Sequence, residues 1–329
     1  MKIDHIAIIG AGMAGISCAK TLLAAGKRVT LFDKSSRPGG RMSTRIFEDW
    51  SADHGAQYFT AKGESFKSLT NSWLTQGFIE PWLGKIVSYK NKQITEVDNS
   101  IQRYVGVPAM NSLATYLVED LSVYFSQTIC KVEQVEDSWI LFSKEQGQIQ
   151  DSFDLVILAI PPKQAADLIP ERITNLQEVC SHVKMLPCWT LIAYQDRSIA
   201  LPFDGAFVEE SPFSWIARNN SKPLRPNNES WTAQANPEWS SQYINYSKSE
   251  VEPLLVSAFE EIAGQPCKFY QTHLWRYARI DSPRNESFIL DKNNRIGICG
   301  DWLVNSTIES AWTSGQMLGD QIDRILDCS

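Results

Sequence analysis

Apolar and polar positions along the chain mark out a short series of elements. Residues 3–9 (Ile-Asp-His-Ile-Ala-Ile-Ile) form a brief apolar run, the pattern of a strand buried in a parallel sheet. Gly10-Ala11-Gly12-Met13-Ala14-Gly15 follows, then a helical stretch to Ala25, a Gly26 stop, and a second strand from Arg28 to Phe32 that ends in Asp33. Lys85–Lys90 and Gln93–Asp98 read as a hairpin around Asn91-Lys92, and Ile129–Val135, Trp139–Phe142 and Gln148–Phe153 as a three-stranded meander. Asp154–Ile160 is a second apolar strand, closed by Pro161-Pro162. From 185 to 280 strands and helices alternate, with Ser249–Ala263 the clearest amphipathic helix. The pattern closes as it began: a strand over Arg295–Cys299, the Gly300-Asp301 turn, and a helix from about Glu309 to Leu326. Neither repeats nor long linkers interrupt it, so one domain is expected to be built from both termini with a second domain inserted.

Composition narrows the class. The 329 residues suit two domains at roughly 150 residues each, and 43% hydrophobic with 21% charged residues is a globular balance. The net charge of −7 is the wrong sign for a nucleic-acid or anionic-membrane binder. Seven cysteines at 18, 130, 180, 188, 267, 299 and 328 are odd in number and lack a CxxC pair, so the expectation is buried thiols in a reducing cytoplasm, without a disulfide framework or zinc site. Asp4 and His5 stand where a signal peptide needs basic residues, and no apolar stretch reads as a membrane span.

The first glycines carry the candidate chemistry. In Gly10-x-Gly12-x-x-Gly15, Gly10 permits a tight exit from the strand, Gly12 lets backbone approach a pyrophosphate, and Gly15 lets the helix pack closely. Asp33, 21 residues after Gly12, is placed to accept from a ribose hydroxyl, which favours FAD or NAD over NADP. Three segments tilt the choice to FAD. Arg37-Pro38-Gly39-Gly40-Arg41 supplies a second glycine pair and an arginine for the same pyrophosphate. Val132 lies on a strand whose backbone suits an adenine edge. Gly300-Asp301 precedes a helix N-terminus at Glu309-Ser310-Ala311, which would stabilise an anionic reduced flavin ring.

With these motifs in order, and with the Asp154–Pro162 strand between them, the chain resembles the flavin-containing amine oxidase superfamily, whose FAD fold is of the p-hydroxybenzoate-hydroxylase type. Within it, Gly40-Arg41-Met42-Ser43-Thr44, Asp53-His54-Gly55-Ala56-Gln57-Tyr58-Phe59-Thr60 and His273-Leu274-Trp275-Arg276-Tyr277-Ala278 are similar to renalase and its bacterial relatives. The resemblance implies an α/β fold: a discontinuous Rossmann-type FAD-binding domain (1–75, 100–165 and 285–329) with an inserted α+β substrate domain (76–99 and 166–284). It places cofactor contacts at Gly10, Gly12, Met13, Ala14, Gly15, Asp33, Lys34, Gly40, Arg41, Met42, Gln57, Tyr58, Val132, Ala159, Pro161, Gly300, Asp301, Glu309, Ser310 and Ala311. Tyr58 and Trp275 would face flavin and substrate ring, and Asn219 would meet the substrate's polar end. Gln234, in Gln234-Ala235-Asn236-Pro237-Glu238-Trp239-Ser240, takes a place where many relatives have histidine, and His54 one where some have leucine.

The implied reaction is oxidation of 2- or 6-dihydro isomers of NAD(P)H, with hydride passing to FAD and O2 ending as hydrogen peroxide. Its partners would be a dinucleotide substrate and O2, with the protein a monomer or weak dimer. Such hydride transfer asks for a ring about 3–3.5 Å from the flavin and for excluded water rather than for acid–base groups. The four histidines (5, 54, 182, 273) accordingly show neither triad nor metal spacing. The tryptophans between Trp189 and Trp275 would wall such a site. Arg218, Lys222 and Arg225, or Arg276, Arg279 and Arg284, would hold the substrate's phosphates. Cys299 sits before Gly300 on the strand and should point into the fold, so the FAD is expected to be non-covalent. A small-amine oxidase of the same superfamily and a non-catalytic FAD-binding protein remain the alternatives.

Overall fold

The computed structural model describes residues 3–327, with side chains described to 324, so Cys328 lies outside the described residues. The chain divides into two compact units: 1–40 with 114–184 and 280–329, and 41–113 with 185–279. This division departs from the expected one. Residues 41–75 and 100–113 go with the inserted unit because Thr44–Ile46 pairs with Ser51–Asp53. That ribbon is tied to the Glu229–Ala235 strand by Ser230 Oγ on the Ser51 carbonyl and Thr232 Oγ1 on the Asp53 carbonyl. Residues 166–184 stay with the first unit, where helix Thr174–Ser181 packs on helix Pro162–Leu168.

The first unit is built on a six-stranded sheet in the order Ile289–Asp291, Ile296–Ile298, Leu155–Leu158, His5–Ile9, Arg28–Phe32, Ser122–Tyr124. All neighbours are parallel except the first pair. His5–Ile9 is therefore central, with Ala7 opposite Val156 on one side and Thr30 on the other. Its C-terminal end is the switch point at which such sheets bind ligands. The apolar runs are buried on both faces, as their composition requires, and His5 is accommodated by a 3.0 Å contact between its Nε2 and Thr30 Oγ1. The meander forms as expected, over Ile129–Val135, Ser138–Ser143 and Gly147–Phe153.

Helix Ile308–Asp327 closes the first unit by lying directly against helix Met13–Ala24. Gly315 and Gly319 allow this: a Cβ at 315 would fall 2.0 Å from the Ala14 carbonyl oxygen, and one at 319 would fall 2.7 Å from Thr21 Cβ. Gly315→Ala is expected to force these helices apart and cost about 1–3 kcal/mol in urea unfolding.

The second unit holds a seven-stranded sheet in the order Phe269–Ile280, Met185–Gln195, Glu229–Ala235, Phe213–Arg218, Gly205–Glu209, Ile86–Lys90, Gln93–Glu96. The hairpin turn falls at Asn91 and Lys92, both with positive φ, as a two-residue turn demands. Helix Lys248–Ala263 buries Val251, Leu255 and Phe259, begins in a Ser247/Glu250 capping box and stops at left-handed Gly264. Trp189 and Trp231 fill the core beneath it. The sequence reading missed helix Glu64–Thr75, although Phe66, Thr70 and Trp73 recur on one face.

The thiols are more varied than expected. Cys18, Cys180 and Cys299 are buried, Cys188 and Cys267 are partly so, and Cys130 is exposed on the bulged strand. All six are free. Among the described residues no helix is long and apolar enough to cross a membrane.

Candidate active site

In the first unit, the loop after the central strand is shaped for a close backbone ligand. Gly10 adopts φ +109°, and a Cβ there would lie 2.5 Å from the Ala159 carbonyl oxygen; at Gly15 one would lie 2.0 Å from the Gly10 oxygen. Gly12 is different: a Cβ there would meet nothing within 4 Å. The glycine is not needed for packing, so the open space above it is available to something else. Gly12 also N-caps helix Met13–Ala24 without a side-chain cap, and the first turn carries no acid. Its N–H groups at Met13 and Ala14 thus start a positive helix end that no side chain of the helix neutralises. Asp33 Oδ2 accepts the Ala11 N–H at 2.7 Å and Oδ1 that of Ser35 at 2.7 Å, which fixes the carboxylate beside the loop with lone pairs to spare. Gly39 donates to the Ala11 carbonyl, and Gly40, at φ +55°, comes within Cβ contact of Gly12 Cα. Both glycine blocks therefore meet at one point, and these residues fit a dinucleotide pyrophosphate.

The remaining positions on this unit fall into two groups. Ala159 and Pro161 end the neighbouring strand, whose carbonyl abuts Gly10. Gly300 donates to Ser314 Oγ, Asp301 is buried, and Glu309, Ser310 and Ala311 occupy the first turn of the closing helix, where Thr307 Oγ1 accepts the Ser310 N–H. Cys299 points into the core, as expected. Val132 is buried on an edge strand of the three-stranded sheet, the position from which a backbone can pair with a base. Lys34 is exposed.

The second unit organises its residues around a buried ion cluster that the sequence did not suggest. Asp53 Oδ2 accepts from Lys222 Nζ at 3.0 Å and Arg225 Nη2 at 2.8 Å, with all three side chains out of solvent. Burial pushes the Asp53 carboxyl up, but the Lys222 and Arg225 charges, with hydrogen bonds from Thr44 and Arg225, outweigh it and hold the group well below the usual range. Burial, opposed by Asp53 and reinforced by Arg225, brings Lys222 down to about 8. Lys222 and Arg225 are thus committed inside, and Arg218 to Glu229, so the expected phosphate-binding trio is not available as one.

Asn219 is fully buried; its Oδ1 accepts the Asp53 N–H at 3.0 Å and its Nδ2 donates to Thr232 Oγ1 at 3.1 Å, so the amide helps position the Asp53 segment. Gln57 Nε2 donates to the Asp53 and Gly55 carbonyls and its Oε1 accepts from Lys222 Nζ, which ties it into the same buried cluster. Met42 is buried, and Arg41 donates to the Ala278 carbonyl. Gln234 Nε2 holds the Gly55 carbonyl at 2.7 Å, and Trp275 Nε1 the His54 carbonyl at 2.9 Å. The 54–58 segment is therefore gripped from two strands, which places Tyr58.

Aromatic walls form from Trp215 and Trp275 of the 189–275 stretch, joined by Trp82, whereas Trp189 and Trp231 are core. Half-buried Tyr58 packs against Trp82 and Trp215, with ring centroids 6.1 and 5.5 Å away. Trp275 lies near parallel to His54 at 5.3 Å and edge-on to His273 at 4.4 Å. Burial, then the facing histidine and Arg45, lower His54 to about 4; burial, then Arg45 and Lys248, lower His273 to about 4. Both are neutral at pH 7. A cavity of about 530 Å³ lined by Thr60, Lys62, Lys67, Asn71, Gln102 and Tyr104 contains none of the expected site residues.

These features are those of an α/β protein with a Rossmann-like domain, and comparison with known proteins agrees. Residues 8–73 match the NAD(P)-binding Rossmann-like domain family. The chain is 45% identical over 58 residues to an L-amino acid oxidase of Crotalus durissus cumanensis, and 42% over 66 residues to an L-amino-acid oxidase of Siganus canaliculatus. Those matches take in 18% and 20% of this chain but only 12% of each relative. Cyclohexylamine oxidase from Brevibacterium oxydans IH-35A superposes over 99% of this chain and 100% of its own, with a TM-score of 0.76 at 12% identity. A putrescine oxidase bound to putrescine does so over 98% and 99%, at 0.71 and 12%. The chain has the mixed α/β fold of these amine oxidases, with a Rossmann-like nucleotide-binding part.

Proposed function

We propose that this chain is an FAD-dependent oxidase of the renalase-like kind, acting on 2- or 6-dihydro isomers of NAD(P)H, with the FAD held non-covalently at the Gly10–Gly15 loop. The chemistry supplied by the bound flavin would be acceptance of a hydride from a dihydropyridine, which becomes aromatic, and delivery of both electrons to O2, which with the hydride's proton and one from solvent gives hydrogen peroxide. The protein's own share is binding and exclusion of water. Asp33 would take the ribose hydroxyls and the uncapped helix the pyrophosphate, while Tyr58 and Trp275 supply flat walls.

The observation that carries this reading is the state of the histidines at Trp275. Both are neutral near pH 7 and both are largely withdrawn from solvent. These two side chains can orient a ring without carrying charge at pH 7, and a dihydropyridine needs no charged acid or base to lose hydride. The test is anaerobic mixing of the yellow protein with 2-, 4- and 6-dihydronicotinamide nucleotides. The 2- or 6-dihydro isomer is expected to bleach the flavin within seconds, and ordinary 4-dihydro NADH at least a hundredfold more slowly. A flavin that stays oxidised with all three overturns the proposal.

A further inference from the structure

The cavity of about 530 Å³ in the second unit has the size of a small-molecule site. Lys62 and Lys67 bring two ammonium groups to its lining, Asn71 and Gln102 two amides, Thr60 a hydroxyl and Tyr104 a half-buried ring. Among the described residues that line it, none is acidic. Lys62, Lys67 and Asn71 are exposed, so the cavity opens to solvent on their side. Lys67 Nζ meets Glu64 Oε1 at 2.6 Å, but the Glu64 side chain is 90% exposed and lies outside the lining. An exposed pair of this kind contributes little and exchanges for a better-placed anion. In a chain of net charge −7, the cavity is thus a local positive surface.

Backbone joins this cavity to the Tyr58 wall. Phe59 and Tyr104 exchange both of their backbone hydrogen bonds, at 2.9 and 2.8 Å. Tyr58 and Thr60 flank Phe59, about 7 Å apart along an extended chain. Arg103, between Gln102 and Tyr104, lies with its guanidinium over the Tyr58 ring. A nicotinamide ring held on Tyr58 therefore leaves the rest of its dinucleotide beside the cavity. Phosphates there need cations, and Arg218, Lys222 and Arg225 are committed to Glu229 and Asp53. Gln102 Nε2 donates to the Arg103 carbonyl at 3.1 Å, which leaves its Oε1 to accept from the amino group of a base.

We propose that this cavity is the subsite for the adenylate half of the dinucleotide substrate, with the phosphate on Lys62 and Lys67 and the base against Tyr104, Asn71 and Gln102. Assigning the bound adenylate to a substrate rests on the oxidase reading above; its binding does not.

Isothermal titration of the full chain, kept in saturating FAD so that the glycine loop is filled, measures that binding without turnover. AMP should bind saturably. Its affinity should be at least tenfold above that of adenosine, which lacks the phosphate, and of inorganic phosphate, which lacks the base. Lys62→Met combined with Lys67→Met should weaken AMP at least tenfold and leave adenosine unchanged. Circular dichroism reports whether the double variant is folded; should it not be, Lys62→Met alone, expected to weaken AMP several-fold, decides. Lys268→Met, which removes a cation from an exposed pair with Asp196 elsewhere in the unit, should leave AMP unchanged. Absence of saturable AMP binding, adenosine or inorganic phosphate binding as tightly as AMP, or an equal loss in the double variant and Lys268→Met overturns the inference. So does a folded double variant with unchanged AMP affinity. Should AMP bind as expected while the flavin stays oxidised with every dihydronicotinamide isomer, the oxidase reading alone fails.

Discussion

Gly12→Ala is expected to yield a protein that folds as before and carries little or no cofactor. The glycine has ordinary extended backbone, φ −80° and ψ 176°, and an added Cβ meets no protein atom within 4 Å. Nothing in the chain requires glycine there, so alanine should change the stability of the apoprotein by no more than about 0.5 kcal/mol. The same methyl would stand in the space from which a pyrophosphate reaches the first N–H groups of the helix, and flavin content should fall at least tenfold. Gly15→Ala, three residues on, provides the contrast. Its Cβ would lie 2.0 Å from the Gly10 carbonyl oxygen, and since both partners are backbone the loop itself must shift. That variant should lose stability and cofactor together. The comparison must be made on apoproteins, because a ligand bound only by the native state raises its apparent stability. Absorbance near 450 nm and urea unfolding of the two variants decide the matter. A Gly12→Ala protein with wild-type flavin content would show that the cofactor does not approach this residue.

What could be read from the sequence follows from how far apart the interacting residues are. The glycine loop, Asp33 and the strands around them form a local β-α-β unit in which backbone geometry alone dictates residue type, and the structure shows them as read. Asp53 could not be read in the same way. Its partners Lys222 and Arg225 lie 169 and 172 residues away and Asn219 lies 166 away, so no spacing rule connects them. Arg218, Lys222 and Arg225 are close in sequence, but sequence proximity says nothing of direction; in the fold Arg218 turns to Glu229 while Lys222 and Arg225 share Asp53. The tryptophans of the 189–275 stretch divide between core and site for a related reason. Trp189 and Trp231 lie on neighbouring strands over helix Lys248–Ala263, where a large flat side chain serves packing as well as recognition. Trp82, isolated in the sequence, stands with Trp215 beside Tyr58. The division into units was missed at 41–75 because the Thr44–Asp53 ribbon belongs by hydrogen bonding to strands that lie far along the chain. By contrast, Gly315 and Gly319, four apart on an amphipathic helix, mark close helix contact within the sequence itself.

Asp53→Asn should be among the most destabilising single changes in the second unit. The asparagine is nearly isosteric, so packing survives, but Lys222 and Arg225 are left as buried cations without a counter-charge. Breaking a buried pair from one side costs about 3–5 kcal/mol at pH 7. The pH dependence provides an internal check. Asp53 titrates lower in the folded protein than in the unfolded chain, so its stabilisation is present above about pH 4 and is lost as pH falls further toward the folded value. The variant should lack that acid-side loss. Lys222, brought down to about 8 by burial, behaves oppositely. Between pH 8 and its ordinary value of 10.5 the unfolded chain binds more protons at this site than the folded one, so its contribution to stability rises with pH. In Asp53→Asn, where the carboxylate no longer favours the ammonium, Lys222 should lose its proton at still lower pH, and the penalty should shrink on going from pH 7 to pH 9. Lys222→Met in the Asp53→Asn background removes one of the stranded charges. It should recover more than half of the loss, because Arg225 still has the Gly106, Pro108 and Pro223 carbonyls as acceptors. Urea unfolding of the two variants at pH 7 and 9 measures these terms. A single variant within about 1 kcal/mol of the parent, or a double variant less stable than the single, would mean that the cluster does not hold the second unit together.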